Sequence, residues 1–321
     1  MVAEAQVDHA LRIADEDPEA ILAIVGPTAS GKTELSLRIA ERLRGGGEIL
    51  GADSVQIYRG FDIGSGKPTI AERLRAPHHL IDLLDPLDRA DAARFASLAR
   101  AAIDDIRARG KRPIVCGGTF LWVKALLFGL ADAPPAGDAV RARHRAIAEA
   151  EGRPALHARL ALVDPVIAAR LHPNDFVRVS RALEVYELTG EPMSSWQARH
   201  GFSTPRFRAR LLGMAVDPAE LTRRITVRVQ GWLESGWIEE VSALLRAGYG
   251  ASRAMGSVGY REVRAHVEGA STEGAPVDVS QSAPLPVAQT RAELETLIVR
   301  STRIFARRQR TWLHHADVTW L

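Results

Sequence analysis

Eight residues, Gly26-Pro27-Thr28-Ala29-Ser30-Gly31-Lys32-Thr33, stand between a short apolar run, Ile21–Val25, and a segment over residues 34–44 that carries Leu35, Leu37, Ile39, Ala40 and Leu43 at mostly helical spacing. The order G-x-x-x-x-G-K-T between a strand and a helix leaves few folds open. Its glycines let successive backbone N–H groups turn inward around phosphate oxygens, and the start of the following helix adds partial positive charge. Lys32 offers a mobile point charge to terminal phosphates, and Thr33 a hydroxyl for Mg²⁺. By itself the loop says that a polyphosphate or diphosphate binds, and no more.

The rest of the chain builds a frame around it. Residues 1–19 read as a polar N-terminal lead, and residues 48–52 as a second strand that delivers Asp53. Another short apolar segment covers residues 80–84. Asp91 is placed to cap a helix with Phe95, Leu98, Ala102 and Ile106 on one face, ended by Gly110. A strand over 113–116 breaks at Gly117 and Gly118 before a further helix. Alternation of this kind predicts an α/β fold, a P-loop NTPase-like parallel sheet covered by helices on both faces. Residues 133–137 interrupt the rhythm with two prolines, and 138–197 show helical patterns and no strand. There Phe176, Val179, Leu183 and Tyr186 form one stripe, Arg178 and Arg181 occupy another face, and Gly190 is the stop. The expected organisation is a lead over 1–19, the first part of a P-loop core over 20–132, an all-helical insertion over 133–205, and a return to the core with C-terminal helices over 206–321. Residues 207–216 read as a return strand, the remainder as helical, and 269–286, rich in Gly, Ser, Thr and Pro, as a flexible insertion.

Composition narrows the setting. Among 321 residues, 46% are hydrophobic and 25% charged, which is globular material rather than a disordered chain. No apolar run approaches the roughly 18 residues of a membrane span, and the first residues have neither a basic cap nor a long apolar stretch, so a cytoplasmic protein without membrane association is expected. The single cysteine, Cys116, excludes an internal disulfide and a four-thiolate zinc site. Of 42 basic residues only Lys32, Lys67, Lys111 and Lys124 are lysine. The arginines are densest at Arg300, Arg303, Arg307, Arg308 and Arg310, eleven residues without an acid, which fits either a solvated helix face or a polyanion site. Nucleotide hydrolases usually close an apolar strand with an acid that orders Mg²⁺. Here Ile114-Val115-Cys116-Gly117-Gly118-Thr119 offers no carboxylate, an objection that simple nucleotide kinases survive.

Asp53 lies about twenty residues after the loop, at the sheet edge where ligands of parallel sheets bind. An acid there can orient Mg²⁺, take a proton from a nucleophile, or cap the next turn. The stretch from Asp53-Ser54-Val55-Gln56 to Gly66-Lys67-Pro68 closely resembles the signature of the tRNA dimethylallyltransferases. So do the loop itself, Pro77-His78-His79-Leu80-Ile81-Asp82, Gly117-Gly118-Thr119, Asn174-Asp175 with Arg178 and Arg181-Ala182-Leu183-Glu184-Val185, and Thr302-Arg303 with residues 306–312. These matches span about residues 20 to 320.

The resemblance implies transfer of a dimethylallyl group from dimethylallyl diphosphate to the exocyclic N6 amine of the adenosine 3′ of the anticodon, position 37, in tRNAs reading codons that start with U. The phosphate loop, residues Gly26 to Thr33, then holds a leaving diphosphate rather than ATP. By the family's pattern Asp53 is the general base and Thr119 lies beside the reacting centre. Lys32 and Mg²⁺ on Thr33 stabilise the departing charge, and an arginine, Arg228 rather than Arg224, completes the diphosphate site. Asp53, Ser54, Val55, Gln56 and Thr119 match the segments at the extruded adenosine; Val177, Arg178, Val179, Ser180 and Arg181 match a second stretch contacting the anticodon stem-loop, and Arg141 a third. The family usually has Thr at Ser65 and Tyr at Trp122, and the cysteines of its eukaryotic zinc-finger tail have no counterpart, so the bacterial form is expected; a monomer is a separate expectation. The adjacent pairs His78-His79 and His314-His315 suit local hydrogen bonds better than a metal. A P-loop small-molecule or nucleotide kinase is the alternative, and predicts ATP turnover and indifference to RNA; an RNA-binding NTP sensor is a third, and predicts RNA affinity that survives loss of Asp53 and no modified base.

Overall fold

In the computed structural model, which describes residues 2–131, 133–134, 137–201, 204–269, 286–313 and 316–321, the expected polar lead is a helix, α1 (Glu4–Glu16). Val7, Ala10, Ile13 and Ala14 recur at helical spacing and are buried, while the charged residues between them face outward. Charged residues interleaved with a narrow apolar stripe make the segment look polar as a string.

The described residues fall into two compact units, one formed by residues 2–129, 205–269 and 286–321, the other by residues 130–204. In the first, β1 (Ile21–Val25) enters the loop and α2 (Lys32–Arg42) leaves it. Next come β2 (Gly47–Gly51), α3 (Ile70–Arg75), β3 (His78–His79), α4 (Ala92–Ala108), β4 (Arg112–Gly117) and α5 (Phe120–Phe128). Asp91 caps α4 by accepting the Arg94 amide, as its position predicts. After the second unit the chain returns through β5 (Ala209–Gly213), α11 (Pro218–Glu234), α12 (Trp237–Arg246), α13 (Tyr260–Glu268), α14 (Arg291–Leu313) and β6 (Thr319–Trp320).

The six strands run parallel in the order β3-β2-β4-β1-β5-β6. Every residue of β1 is buried. Ile21, Ala23 and Val25 join one apolar cluster with Phe95, Ile103, Trp122 and Ile298, whereas Leu22 and Ile24 join another with α1 and α2. A sheet buried on both faces explains why β1 reads as an unbroken apolar run rather than an alternation.

The short apolar segment and the tail of the chain resolve as follows, and the second corrects an expectation. The apolar segment over 80–84 is no strand: pairing with β2 is confined to His78–His79, and Leu80 and Asp82 adopt left-handed backbone. Residues after the return strand are not all helical, because Thr319 and Trp320 pair with Leu212 and Gly213. Two residues on a sheet edge carry no readable periodicity. The insertion expected over 269–286 and the pair His314-His315 lie outside the described residues, apart from Gly269 and Pro286 at the ends of the former.

The second unit is helical throughout: α6 (Asp138–Ala150), α7 (Arg153–Val163), α8 (Pro165–Ala168), α9 (Phe176–Thr189) and α10 (Met193–His200). Its core gathers Leu156, Leu160, Ile167, Val179 and Leu183. Gly190 ends α9 in the left-handed conformation, the stop its sequence announces.

Candidate active site

The loop from Gly26 to Gly31 wraps tightly because three of its residues have positive φ: Gly26, Ala29 at 62° and Gly31 at 100°. Gly31 starts α2 with no side-chain cap, so the first amides of the helix point into the loop without an acceptor among the described residues. Ser30 is wholly buried, and its hydroxyl oxygen has no hydrogen-bond partner among them either. An orphaned hydroxyl beside uncapped amides is the donor set an anion completes. Lys32 donates from Nζ to the Pro27 carbonyl at 2.6 Å. Desolvation pushes its pKa down to about 8; Cys116 and Asp53 oppose the shift and Arg228 reinforces it. Thr33, in the first turn of α2, has a hydroxyl without a partner among the described residues, a group that could hold a metal.

Arginines from α11 close the loop's outer side. Arg224 pairs with Glu220 at 2.7 Å and points a second guanidinium nitrogen at the Ser30 carbonyl, 3.4 Å away. Arg228 lies over the Trp232 ring, 5.6 Å from its centroid. Together with Ala29 and Gly31 they line a cleft of about 560 Å³. The structure thus brings both arginines to the phosphate loop, four residues apart on one helix.

Asp53 and Thr119 meet across the carboxyl ends of β2 and β4. The Ala52 amide donates to the Cys116 carbonyl at 2.8 Å, and the Thr119 amide to the Ala52 carbonyl at 3.2 Å. Gly117 makes this approach possible, since a Cβ there would lie 2.1 Å from the Ala52 oxygen. Thr119 Oγ1 accepts the Ser54 amide at 3.2 Å, which leaves its proton free to donate. Asp53 Oδ1 accepts the amides of Val55 (2.9 Å) and Gln56 (3.2 Å), fixing the carboxylate plane. Its other oxygen, Oδ2, has no partner among the described residues.

The segment after Asp53 is held from behind. Gln56 Nε2 donates to the carbonyls of Ser65 (3.0 Å) and Gly66 (3.1 Å), which leaves its carbonyl oxygen and the exposed Ser54 for a ligand. The buried Lys67 ammonium donates to the Tyr58 carbonyl, Asp62 and Asp82. Trp122 stacks on Phe95 at 4.7 Å in the core, so the indole in place of the usual phenol affects packing rather than the reacting groups.

Gln309 is a functional residue that sequence reasoning missed. From α14 its Oε1 accepts the Thr28 amide at 2.8 Å, and its Nε2 donates to the Gly118 carbonyl at 3.0 Å. One side chain ties the phosphate loop to the residue before Thr119. The only signal was its place within residues 306–312, one of the matching motifs.

In the helical unit the expected RNA-contacting residues divide. Val177 and Arg178 are exposed on α9. Arg141 and Arg181 converge on Glu184, whose carboxylate is fully buried and accepts from both guanidinium groups and from the Gly137 amide. These partners hold the Glu184 carboxyl below the usual range against the desolvation that raises it. Val179 and Ser180 correct the expectation. Val179 is in the unit's apolar core and Ser180 bonds the buried His144 at 2.9 Å, so neither side chain is offered to RNA. His78 and His79 bond the Ala76 carbonyl and Glu48 respectively. Among the described residues no three His, Cys, Asp or Glu side chains gather as a metal site.

Comparison with known proteins agrees with this geometry. Residues 56–316 match the IPP transferase family and residues 19–79 the isopentenyl transferase family. A tRNA dimethylallyltransferase of Sorangium cellulosum is 61% identical over 96% of this chain and 92% of its own length, and one of Geobacter metallireducens is 45% identical over 96% and 94%. The chain belongs to the tRNA dimethylallyltransferase family. Among solved structures, the full-length tRNA isopentenylpyrophosphate transferase of Bacillus halodurans is similar with a TM-score of 0.64 and 35% identity, covering 94% of this chain and 89% of that one. A eukaryotic dimethylallyltransferase acting on tRNA matches at 0.73 and 27% identity, over 94% and 73%. For a tRNA dimethylallyltransferase the absence of an acid after β4 is no defect, because no nucleoside triphosphate has to be hydrolysed. The kinase alternative loses its support.

Proposed function

We propose that the chain transfers the dimethylallyl group of dimethylallyl diphosphate to N6 of adenosine 37 in tRNAs that read codons beginning with U. The observation that carries this reading is the meeting of an anion-binding loop and the Asp53–Thr119 pair at one sheet edge. The allylic C–O bond breaks with its electron pair leaving on the diphosphate, the N6 lone pair forms the new C–N bond, and the N6 proton passes to Asp53 Oδ2. Loop amides, Ser30 Oγ, Lys32, Arg224 and Arg228 face the charge that grows on the departing oxygens, and so stabilise the transition state more than the ground state. Thr119, with a free hydroxyl proton beside the base, helps orient the amine. An aromatic amine is a weak nucleophile, so alignment matters as much as proton removal.

Magnesium belongs to the same reading. The Thr33 hydroxyl at the start of α2 would hold the ion. When bound it would neutralise charge on the leaving group. Ser54, Val55 and Gln56 take the adenosine and its neighbours, and Arg141, Val177, Arg178 and Arg181 present the helical unit to the anticodon stem-loop. The enzyme is taken to work in the cytoplasm, where tRNA is, as a single chain that supplies every residue named. Among the described residues no helix is long and apolar enough to cross a membrane.

Incubation with Mg²⁺, labelled dimethylallyl diphosphate, ATP and unmodified tRNA tests the proposal by showing which label moves and where. Prenyl label on adenosine 37 without ATP turnover is expected, and an obligatory triphosphate donor would overturn it. Asp53→Ala should lower the single-turnover rate by roughly 10² or more with tRNA binding largely intact, as loss of a positioned base does; an unchanged rate removes Asp53 from its role.

A further inference from the structure

Glu240 of α12 accepts three hydrogen bonds from two other parts of the first unit. Its Oε2 accepts the amides of Asp62 (3.0 Å) and Ile63 (2.7 Å), and its Oε1 accepts the Tyr260 hydroxyl at 2.7 Å. Burial pushes the Glu240 carboxyl above its ordinary pKa, the mark of a charge kept where packing alone would exclude it. Tyr260, at the start of α13, is buried, and burial beside Glu240 raises its phenol well above the ordinary value, so it remains a donor.

The two amides belong to a tight turn over residues 61–67. The Gly66 amide donates to the Ile63 carbonyl at 2.9 Å, the Lys67 amide to the Asp62 carbonyl at 3.1 Å, and the Ser65 hydroxyl to the Phe61 carbonyl at 2.7 Å. The turn also rests on two tryptophans: a Cβ on Gly64 would lie 2.0 Å from the Trp237 ring, and one on Gly66 2.8 Å from Trp232. Apolar contact is non-directional and sets how deep the turn sits, whereas the bonds to Glu240 are directional and set where it sits.

What the turn carries is the Ser65 and Gly66 carbonyls, which accept from Nε2 of the Gln56 carboxamide at 3.0 and 3.1 Å. With both amide protons spent, the Gln56 side chain cannot flip, because reversal would set its oxygen against two carbonyl oxygens. Oε1 has no partner among the described residues and is offered as an acceptor only. An acceptor favours an exocyclic amine and repels a keto oxygen, which is the difference at C6 between adenine and hypoxanthine.

We infer that Glu240 is a positioning residue for the acceptor base: it clamps the 62–66 turn so that the turn's carbonyls hold the Gln56 carboxamide with its oxygen outward, and the base at position 37 is read as an amine. The inference rests on the reading of the chain as a tRNA prenyltransferase and adds to it a residue that acts through another.

The test compares binding of two anticodon stem-loops, one with adenosine and one with inosine at position 37, to the full chain and its variants, with the affinity ratio as the readout. Wild type should favour adenosine by about tenfold, the effect of one hydrogen bond made against one lost. Glu240→Ala should abolish the preference and leave KM for dimethylallyl diphosphate unchanged. Glu240→Gln should keep most of it, since its carbonyl oxygen still accepts the two amides and its NH2 group donates to the Tyr260 oxygen. Gln56→Ala should match Glu240→Ala, and the double variant should lose no more than either, because the two act in series. A residue needed only for stability would lower both affinities together and leave the ratio alone. Should Glu240→Ala fail to fold, Tyr260→Phe removes one tether and should lower the ratio about threefold. A wild type without preference, a wild-type ratio in the variant that folds, or losses by Glu240→Ala and Gln56→Ala that add overturns the clamp, and leaves the function standing where the wild type prenylates adenosine 37. A wild type that shows the coupled ratio yet transfers no prenyl group does the reverse.

Discussion

Lys32 turns back on its own loop, donating to the Pro27 carbonyl, with its pKa pushed down to about 8. Below pH 8 it is an ammonium ready for the diphosphate. Above it, the amine must recover a proton on binding. Donor affinity is therefore expected to be full below pH 8 and to fall about tenfold as pH rises through 8 to 9.5, the worth of one charge-assisted contact. Calorimetry in buffers of different ionisation enthalpy checks this, since proton uptake on binding should appear at pH 8.5 and be absent at pH 7; a flat profile removes Lys32 from the donor site. Single residues of this kind were partly legible in the chain. The loop motif specifies Lys32 and Thr33 chemically, and Asp53 stands where a strand must end. Gln309 was not, because a glutamine on a helix can face anywhere, and its contacts with Thr28 and Gly118 lie 281 and 191 positions away.

Strand ends rather than helices set the reacting geometry. Gly117 lets the ends of β2 and β4 touch backbone to backbone, and the site is built on that contact. Gly117→Ala should cost about 3 kcal/mol or more, since a methyl 2.1 Å from a carbonyl oxygen must force the central strands apart and no side chain can give way. Urea unfolding measures it, and a wild-type midpoint would show the strands have slack. Elements with strong periodicity were the readable ones: β1, α4 with its Asp91 cap, and α9 with its Gly190 stop agree closely with expectation. Elements that depend on tertiary partners were not. The stripe of α1 is narrow and interleaved with charge, while β3 and β6 are two residues each and exist only because a neighbouring strand offers hydrogen bonds.

At the scale of the molecule, the described residues form an α/β unit that contains the phosphate loop and Asp53 and a helical unit with its own core and its own arginines. Arg178→Ala with Arg181→Ala is expected to weaken tRNA binding and flatten its salt dependence by about 1 to 2 in slope, and filter binding at graded salt reads this directly. If only donor binding suffered, the helical unit would have no RNA role. Arg181 also helps neutralise the buried Glu184, so a melting curve for the helical unit should accompany the assay. The helical character of residues 138–197 was plain in their pattern, but the pairing of Arg141 and Arg181 on one carboxylate was hidden, since three side chains from two helices meet only after packing. The bare contact at Gly117 has a consequence for anyone redesigning this catalyst. Where main chain abuts main chain there is no methyl to shave and no cavity to enlarge, so a variant meant for bulkier terpenoid donors has to find its room along the arginine-lined cleft and not between base and hydroxyl.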